Sequence, residues 1–162
     1  MREMRKIKRK LGDEESYKLL KDLKVVTISM YDEFEKVPYA VTINSIVVDH
    51  TIYIHCANEG RKIDVLKNNN SVCITALCDS KIIEKQFTTS YESLVIYSHA
   101  RFIEDKNDKY NVLHKLCENL TPSNNENSIK KIILAELENT TIIAFDVESI
   151  SGKGSCREKL DK

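Results

Sequence analysis

Residues 54–62, IHCANEGRK, place a histidine, a cysteine, a glycine and two adjacent cations within nine positions. The pattern predicts a strand ending in this stretch and a helix starting near Gly60. Arg61 and Lys62 would then stand in the first helical turn. There the helix dipole presents partial positive charge and disfavours cations. An anion held at that end offsets the penalty. The unpaired amides of a first turn already suit an anion, and a glycine lets backbone approach it closely. A guanidinium and an ammonium add bidentate and point-charge contacts. Together these donors suit a dianionic group such as a phosphomonoester. On spacing alone, a solvated Arg-Lys pair at a helix edge is the better explanation of the residues. The chain has no P-loop and no GxGxxG, so the usual nucleotide fingerprints are absent.

The other reactive residue types form no constellation by spacing. Cys56 beside His55 has no evident base and orienting group, so it reads as a small core residue. His55 itself has a plain alternative as a neutral histidine at the core edge. His50 falls in a predicted turn, and His99 and His114 read as surface or packing residues. The five cysteines (56, 73, 78, 117 and 156) include no CxxC. Cys73 and Cys78 lie five apart on a predicted strand and so point to opposite faces. Reduced thiols in a cytoplasmic protein fit this pattern.

The elements that must position these residues follow from periodicity. The chain has 162 residues, 41% hydrophobic and 31% charged, which suits one globular domain with a real core. Lys plus Arg equals Asp plus Glu at 25 each, giving no global pull toward nucleic acid or an anionic membrane. Six of the first ten residues are basic. They read as a solvated arm without the aromatic residues that stack on bases. No apolar run reaches spanning length and no signal peptide is visible.

A helix is predicted over 13–24, with Asp13 as its cap and Tyr17, Leu20 and Leu23 as its apolar stripe. Strands are predicted over 25–31, 38–48 and 51–56, the last two forming a tight hairpin through Asp49 and His50. A short helix over 60–67 precedes strands over 71–78 and 92–105. On the latter, Leu94, Ile96, Ala100 and Phe102 share one face. Helices over 106–119 and 128–138 flank the polar loop 121–128. A last strand covers 140–150, and a polar tail follows. About six meander-connected strands would leave open edges in a flat sheet, so a small antiparallel barrel is expected.

In order, Pro38-Tyr39, His55-x-Ala57-x-x-Gly60-x-Lys62 and Tyr91-x-Ser93-Leu94 make a composite pattern. It resembles the FMN-binding split-barrel superfamily, in its pyridoxamine 5'-phosphate oxidase-like branch that includes the nitroimidazole-resistance proteins. The similarity runs over essentially the whole chain, including the basic arm and the tail ISGKGSCRE.

This resemblance implies a six-stranded antiparallel split β-barrel that forms a homodimer with FMN at the interface. It implies that Arg61 and Lys62 hold the FMN phosphate, with backbone at Cys56 and Ala57 beside it. Thr42, Ile43 and Asn44 would run along the isoalloxazine edge. His55 and Ser93 fall at flavin-contacting positions, and Lys153 lies in a tail that reaches the site. Thr42 stands where relatives usually carry proline, and Ile96 and Ser98 where they often carry glycine. These larger residues are expected to narrow the space over the flavin or alter dimer packing.

The activity implied is that of a cytoplasmic FMN-dependent oxidoreductase, with no nucleic-acid or membrane partner. A reduced nicotinamide or other donor would supply electrons, and a small molecule such as a nitroaromatic would accept them, His55 or water giving the proton. Three alternatives stand beside it. One is a flavin-binding carrier or sensor without turnover, and another a split barrel that holds haem or a deazaflavin. The third is a cofactor-free module whose basic arm meets an anionic partner.

Overall fold

The computed structural model describes residues 3–155; Cys156 and the rest of the tail lie outside the described residues. Eight strands form one sheet, with four helices: α1 (Asp13–Lys21), β1 (Val25–Asp32), β2 (Val37–Asn44), β3 (Ile46–Val48), β4 (Thr51–Ala57), α2 (Arg61–Asn68), β5 (Ser71–Ile83), β6 (Thr88–Ile103), α3 (Lys106–Leu120), α4 (Glu126–Glu136), β7 (Thr140–Asp146) and β8 (Ser149–Ser155). The strand order is β2-β1-β5-β6-β7-β4-β3, every pairing is antiparallel, and β8 pairs with β6. The sheet therefore curls as a split barrel and stays open. Its two ends, β2 and β3, are consecutive in the chain and joined through Ser45, but no ladder closes the seam between them.

Two predicted strands are each two. The 38–48 run breaks at the fully buried Ser45, whose N–H donates to the Lys24 carbonyl at 2.9 Å. The 140–150 run breaks after Asp146, and the first residues of the supposed polar tail, up to Ser155, belong to strand β8 (Ser149–Ser155). The alternation rule misses β8 because Gly152 and Gly154 stand at its inward positions; a Cβ at Gly152 would collide with Ser16 Oγ and Leu11. Here α1 and the start of the chain close over the strand, so small size substitutes for hydrophobicity. The basic arm is accordingly docked in its last part. Lys10 bridges to Lys153 and the Leu11 N–H donates to the Gly152 carbonyl at 3.0 Å.

Strand β6 organises both halves. Its residues 91–97 pair with β8 and residues 100–103 with β7, while its other edge runs along β5. At the changeover, Ser98 Oγ donates to the Asp146 carbonyl at 2.7 Å, and the Glu148 N–H donates to the Tyr97 carbonyl at 3.2 Å.

Period-2 alternation sends side chains to two cores. Val26, Ile28, Ile52, Ile54, Ile74, Leu94, Ile96, Ile143 and Phe145 fill the barrel interior with Leu20 of α1 and Leu66 of α2. Ile142 and Ile46 point the other way and pack with Val112, Leu113 and Leu116 of α3 and Ile129 and Ile133 of α4. Strand β7 is buried on both faces, which explains its unbroken apolar run IIAF.

The helix starts follow capping chemistry. Asp105 accepts from the Asn107 and Asp108 N–H groups at 2.9 Å, and Asn125 from Ser128 N–H at 3.0 Å. At α1 the cap is Gly12 and Asp13 is the first helical residue, one position earlier than the acidic pattern implied. The 49–50 turn is present, with Asp49 at φ 54° and Val48 paired to Thr51.

Candidate functional site

A cavity of about 520 Å³ opens where β2 and β4 come together at the seam, lined by Ile43, Asn44, His55, Cys56, Ala57, Glu136, Asn139 and Thr140. Strand β4 ends here and α2 begins after three connecting residues. The connection needs Gly60. Its φ of 119° and ψ of 165° are open to glycine and strained for any residue with a Cβ. Gly60 carries no side-chain cap; the Ile63 N–H already donates to the Gly60 carbonyl at 2.8 Å, which leaves the Arg61 and Lys62 amides at the helix start.

The two cations of the motif have different surroundings. Arg61 turns back across the β1–β2 hairpin. Its Nε donates to Asp32 at 2.8 Å, a second nitrogen meets Glu35 at 3.5 Å, and its guanidinium lies 4.5 Å from the Tyr39 ring centroid. Asp32 is buried. N–H groups of Glu35 and Phe34 together with Arg61 hold its carboxyl below the usual range, against the opposing effect of burial. Lys62 instead stands by the cavity. Its charge acts on both the Cys56 thiol and the His55 ring. Burial, then the Lys62 charge, lowers the His55 pKa from its ordinary 6.5, so the ring is neutral at pH 7. Burial raises the Cys56 thiol above its ordinary value, with Lys62 pulling the other way. That thiol is a poor nucleophile.

Five of the residues singled out from the sequence (Ile43, Asn44, His55, Cys56 and Ala57) thus converge on one cavity, with Lys62 adjacent. Arg61, Thr42, Ser93 and Lys153 do not line it. Thr42 faces outward and shares a 2.9 Å hydrogen bond with Thr27. Ser93 and Lys153 face each other across β6 and β8, and Lys153 Nζ lies 5.6 Å from the Tyr91 ring centroid. Hydrogen bonds from Lys153 and Arg9 lower the Tyr91 pKa despite the opposing effect of burial.

The expected narrowing by Ile96 and Ser98 does not occur within the chain. Ile96 is fully buried in the barrel interior and Ser98 is bonded at the β6 changeover. Both sit at even positions, facing inward. Glu136, Asn139 and Thr140 belong to the cavity and carried no sequence signal. Asp32 did carry one: an Asp between two strand runs marks a turn, and its carboxylate accepts the Phe34 and Glu35 N–H groups.

An open eight-stranded barrel with a basic helix start at its seam defines a split-barrel protein. The chain matches the family model described as Pyridoxamine 5'-phosphate oxidase over residues 12–154, and it belongs to that family. None of the curated proteins matches it. Among solved structures it resembles a protein from Bacteroides thetaiotaomicron VPI-5482 named for 5-nitroimidazole antibiotic resistance. The two share 24% identity over 90% of this chain and 86% of that one, with a TM-score of 0.74. The flavocytochrome Anf3 from Azotobacter vinelandii is 18% identical over 95% of this chain and 72% of that one, with a TM-score of 0.75. The FAD and haem binding protein from Mycobacterium smegmatis is 18% identical over 89% and 71%, with a TM-score of 0.70. At these identities the likeness concerns the fold.

Proposed function

We propose that the protein is an FMN-binding oxidoreductase that works as a homodimer. The observation that carries the reading is the seam cavity. A lysine and uncapped helix amides flank it, and a neutral histidine and an asparagine line it. Its volume of about 520 Å³ lies in the range of cofactor sites. Lys62 and the α2 amides would take the phosphate, with Cys56 and Ala57 beside it. Ile43 and Asn44 would flank the ring system. Bound FMN would supply hydride chemistry between a reduced nicotinamide or similar donor and a small acceptor such as a nitroaromatic compound. The chain's own part is binding, orientation and electrostatics.

Arg61 takes a different role in this reading. Its contacts to Asp32 and Glu35 tie the hairpin to α2 and set the angle of the helix start. Its charge reaches the phosphate at longer range.

The dimer rests on the outer face of the β1-β2-β5-β6-β8 half. Paired positions there read Thr42, Thr27, Thr75, Val95 and Ser151 in one row and Ala40, Ser29, Cys73, Tyr97 and Ser149 in the next. Neither row carries a charged residue. Burying these two rows against a second copy leaves no uncompensated charge within them. It also brings Thr42, Ser93 and Lys153, which face outward, to the interface, where they would meet the flavin.

The test is direct. The purified protein should show a flavin absorption spectrum, and denaturation should release FMN. A haem or deazaflavin spectrum, or none after FMN is added, would refute the assignment. Lys62→Ala should weaken FMN binding roughly ten- to hundredfold, the range expected for a hydrogen bond to a charged group. Unchanged affinity would remove Lys62 as the anchor. Oxidation of NADH or NADPH with a nitroaromatic acceptor separates the enzyme from a carrier that binds flavin without turnover.

A further inference from the structure

The helix pair over the other half of the sheet does not close completely. Helices α3 and α4 pack through Val112, Leu113, Leu116, Ile129 and Ile133. Toward the end of α3 they leave a groove of about 450 Å³ walled by Leu113, Leu116, Leu120, Ile132 and Ile133. Its polar lining gathers around Asn44, His55, Thr140 and Glu136, the four residues that also line the seam cavity. The groove and the cavity thus share one wall. The pairing of His55 with Ile142 explains this. Odd positions of β4 face the helix pair, and His55 is the last of them before the barrel seam.

We propose that this groove is a second binding site, for a neutral apolar aromatic compound that lies between α3 and α4 with its one polar substituent at His55 and Asn44. Three observations select that class. The walls are aliphatic, so a ligand gains by burying hydrocarbon. The volume lies in the range of small-molecule sites. Charge decides the rest. Glu136 is the only carboxylate in the lining, no lysine or arginine faces the groove, and an anion there would lose its hydration without a counter-charge. His55, kept neutral by its burial and by Lys62, offers one donor and one acceptor to a hydroxyl or carbonyl. The binding itself does not depend on the flavin; only the occupant's nearness to a flavin ring rests on the reading above.

The experiment compares 2-naphthol with its anionic counterpart 2-naphthoate, at pH 7, by fluorescence titration of the full chain. The neutral compound should bind at least tenfold tighter. Ile132 is 52% exposed, so Ile132→Glu is compatible with folding, and it should weaken 2-naphthol binding tenfold or more. Leu120→Glu should do the same, and Ile132→Val should retain binding. Lys62→Ala, outside the groove, should leave 2-naphthol affinity unchanged at pH 8, where His55 is neutral with or without the lysine charge, whatever it does to FMN. Equal affinity for the two compounds, or parent-like binding by the folded Ile132→Glu protein, overturns the proposal. Loss of FMN from Lys62→Ala with 2-naphthol binding intact separates the two sites. Retention of FMN by that variant would refute the phosphate anchor and leave the groove standing.

Discussion

The two halves of the sheet solve the same problem differently. Both bury their inner face in one barrel core. On the outer face of the β3-β4-β7 half, Ile46, Tyr53 and Ile142 lie beneath α3 and α4. The outer face of the other half has no helix over it. Tyr97, Leu77 and Val25 stand there 45%, 66% and 48% exposed. One half was given aliphatic side chains and its own cover. The other was given threonine, serine and small residues, which tolerate water and still pack flat. A face of that composition is suited to cover supplied by a second copy, and the seam between the halves is where the candidate site lies.

The strongest way to break the comparison is to attack the helix cover. Ile133→Ala truncates a side chain that is only 2% exposed and should cost about 2–5 kcal/mol, read as a lower midpoint in urea. Thr75→Ala, in the bare face, should change the stability of the monomer by less than about 0.5 kcal/mol.

The next effect falls on assembly. Sedimentation equilibrium should find the parent as a dimer and a Thr75→Arg, Tyr97→Arg double variant as a folded monomer, because two cations from each copy would meet across the interface. A parent that is monomeric at high concentration removes the dimer reading. Gly60→Ala strains the link between the halves. It should destabilise by about 1–3 kcal/mol and loosen FMN, although a Cβ there meets no atom within 4 Å. The penalty is conformational and should not be relieved by trimming neighbours.

The smallest effects are titrations within the helix-covered half. His114 lies 2.9 Å from Glu126 and 3.3 Å from Glu118, and the Glu126 hydrogen bond chiefly raises its pKa above 6.5. Its contribution is therefore full below pH 6.5 and is lost as the pH rises through the folded value. His55 has the opposite sign. Its folded pKa lies below 6.5, so the unfolded chain takes up its proton first and stability falls as the pH drops from 6.5. NMR titration of the two imidazoles should show midpoints on either side of 6.5. Glu126→Gln should abolish the alkaline loss, and His55→Gln the acid loss.

Much of this was legible in the chain. The β4–α2 handover was readable because a glycine, a helix start and two cations are local signals. So were the barrel-facing positions of β1, β5 and β6, since alternation reports burial on one face. Strand β8 was hidden because its inward residues are glycines, chosen by the nearness of Leu11 and Ser16. Nothing around Glu136, Asn139 and Thr140 distinguishes them in sequence. They join the cavity because α4 ends and β7 begins beside the seam.

The sequence by itself determined that a glycine and two cations stand at a helix start, since helix-end signals depend only on neighbours along the chain. It could not divide the labour between the two cations. Only the tertiary structure sent Arg61 to Asp32 and Glu35 and left Lys62 at the cavity. The physical reason is distance: Asp32 lies 29 residues away in the chain and 2.8 Å away in space. An interaction of that kind exists only once the hairpin has folded across the helix.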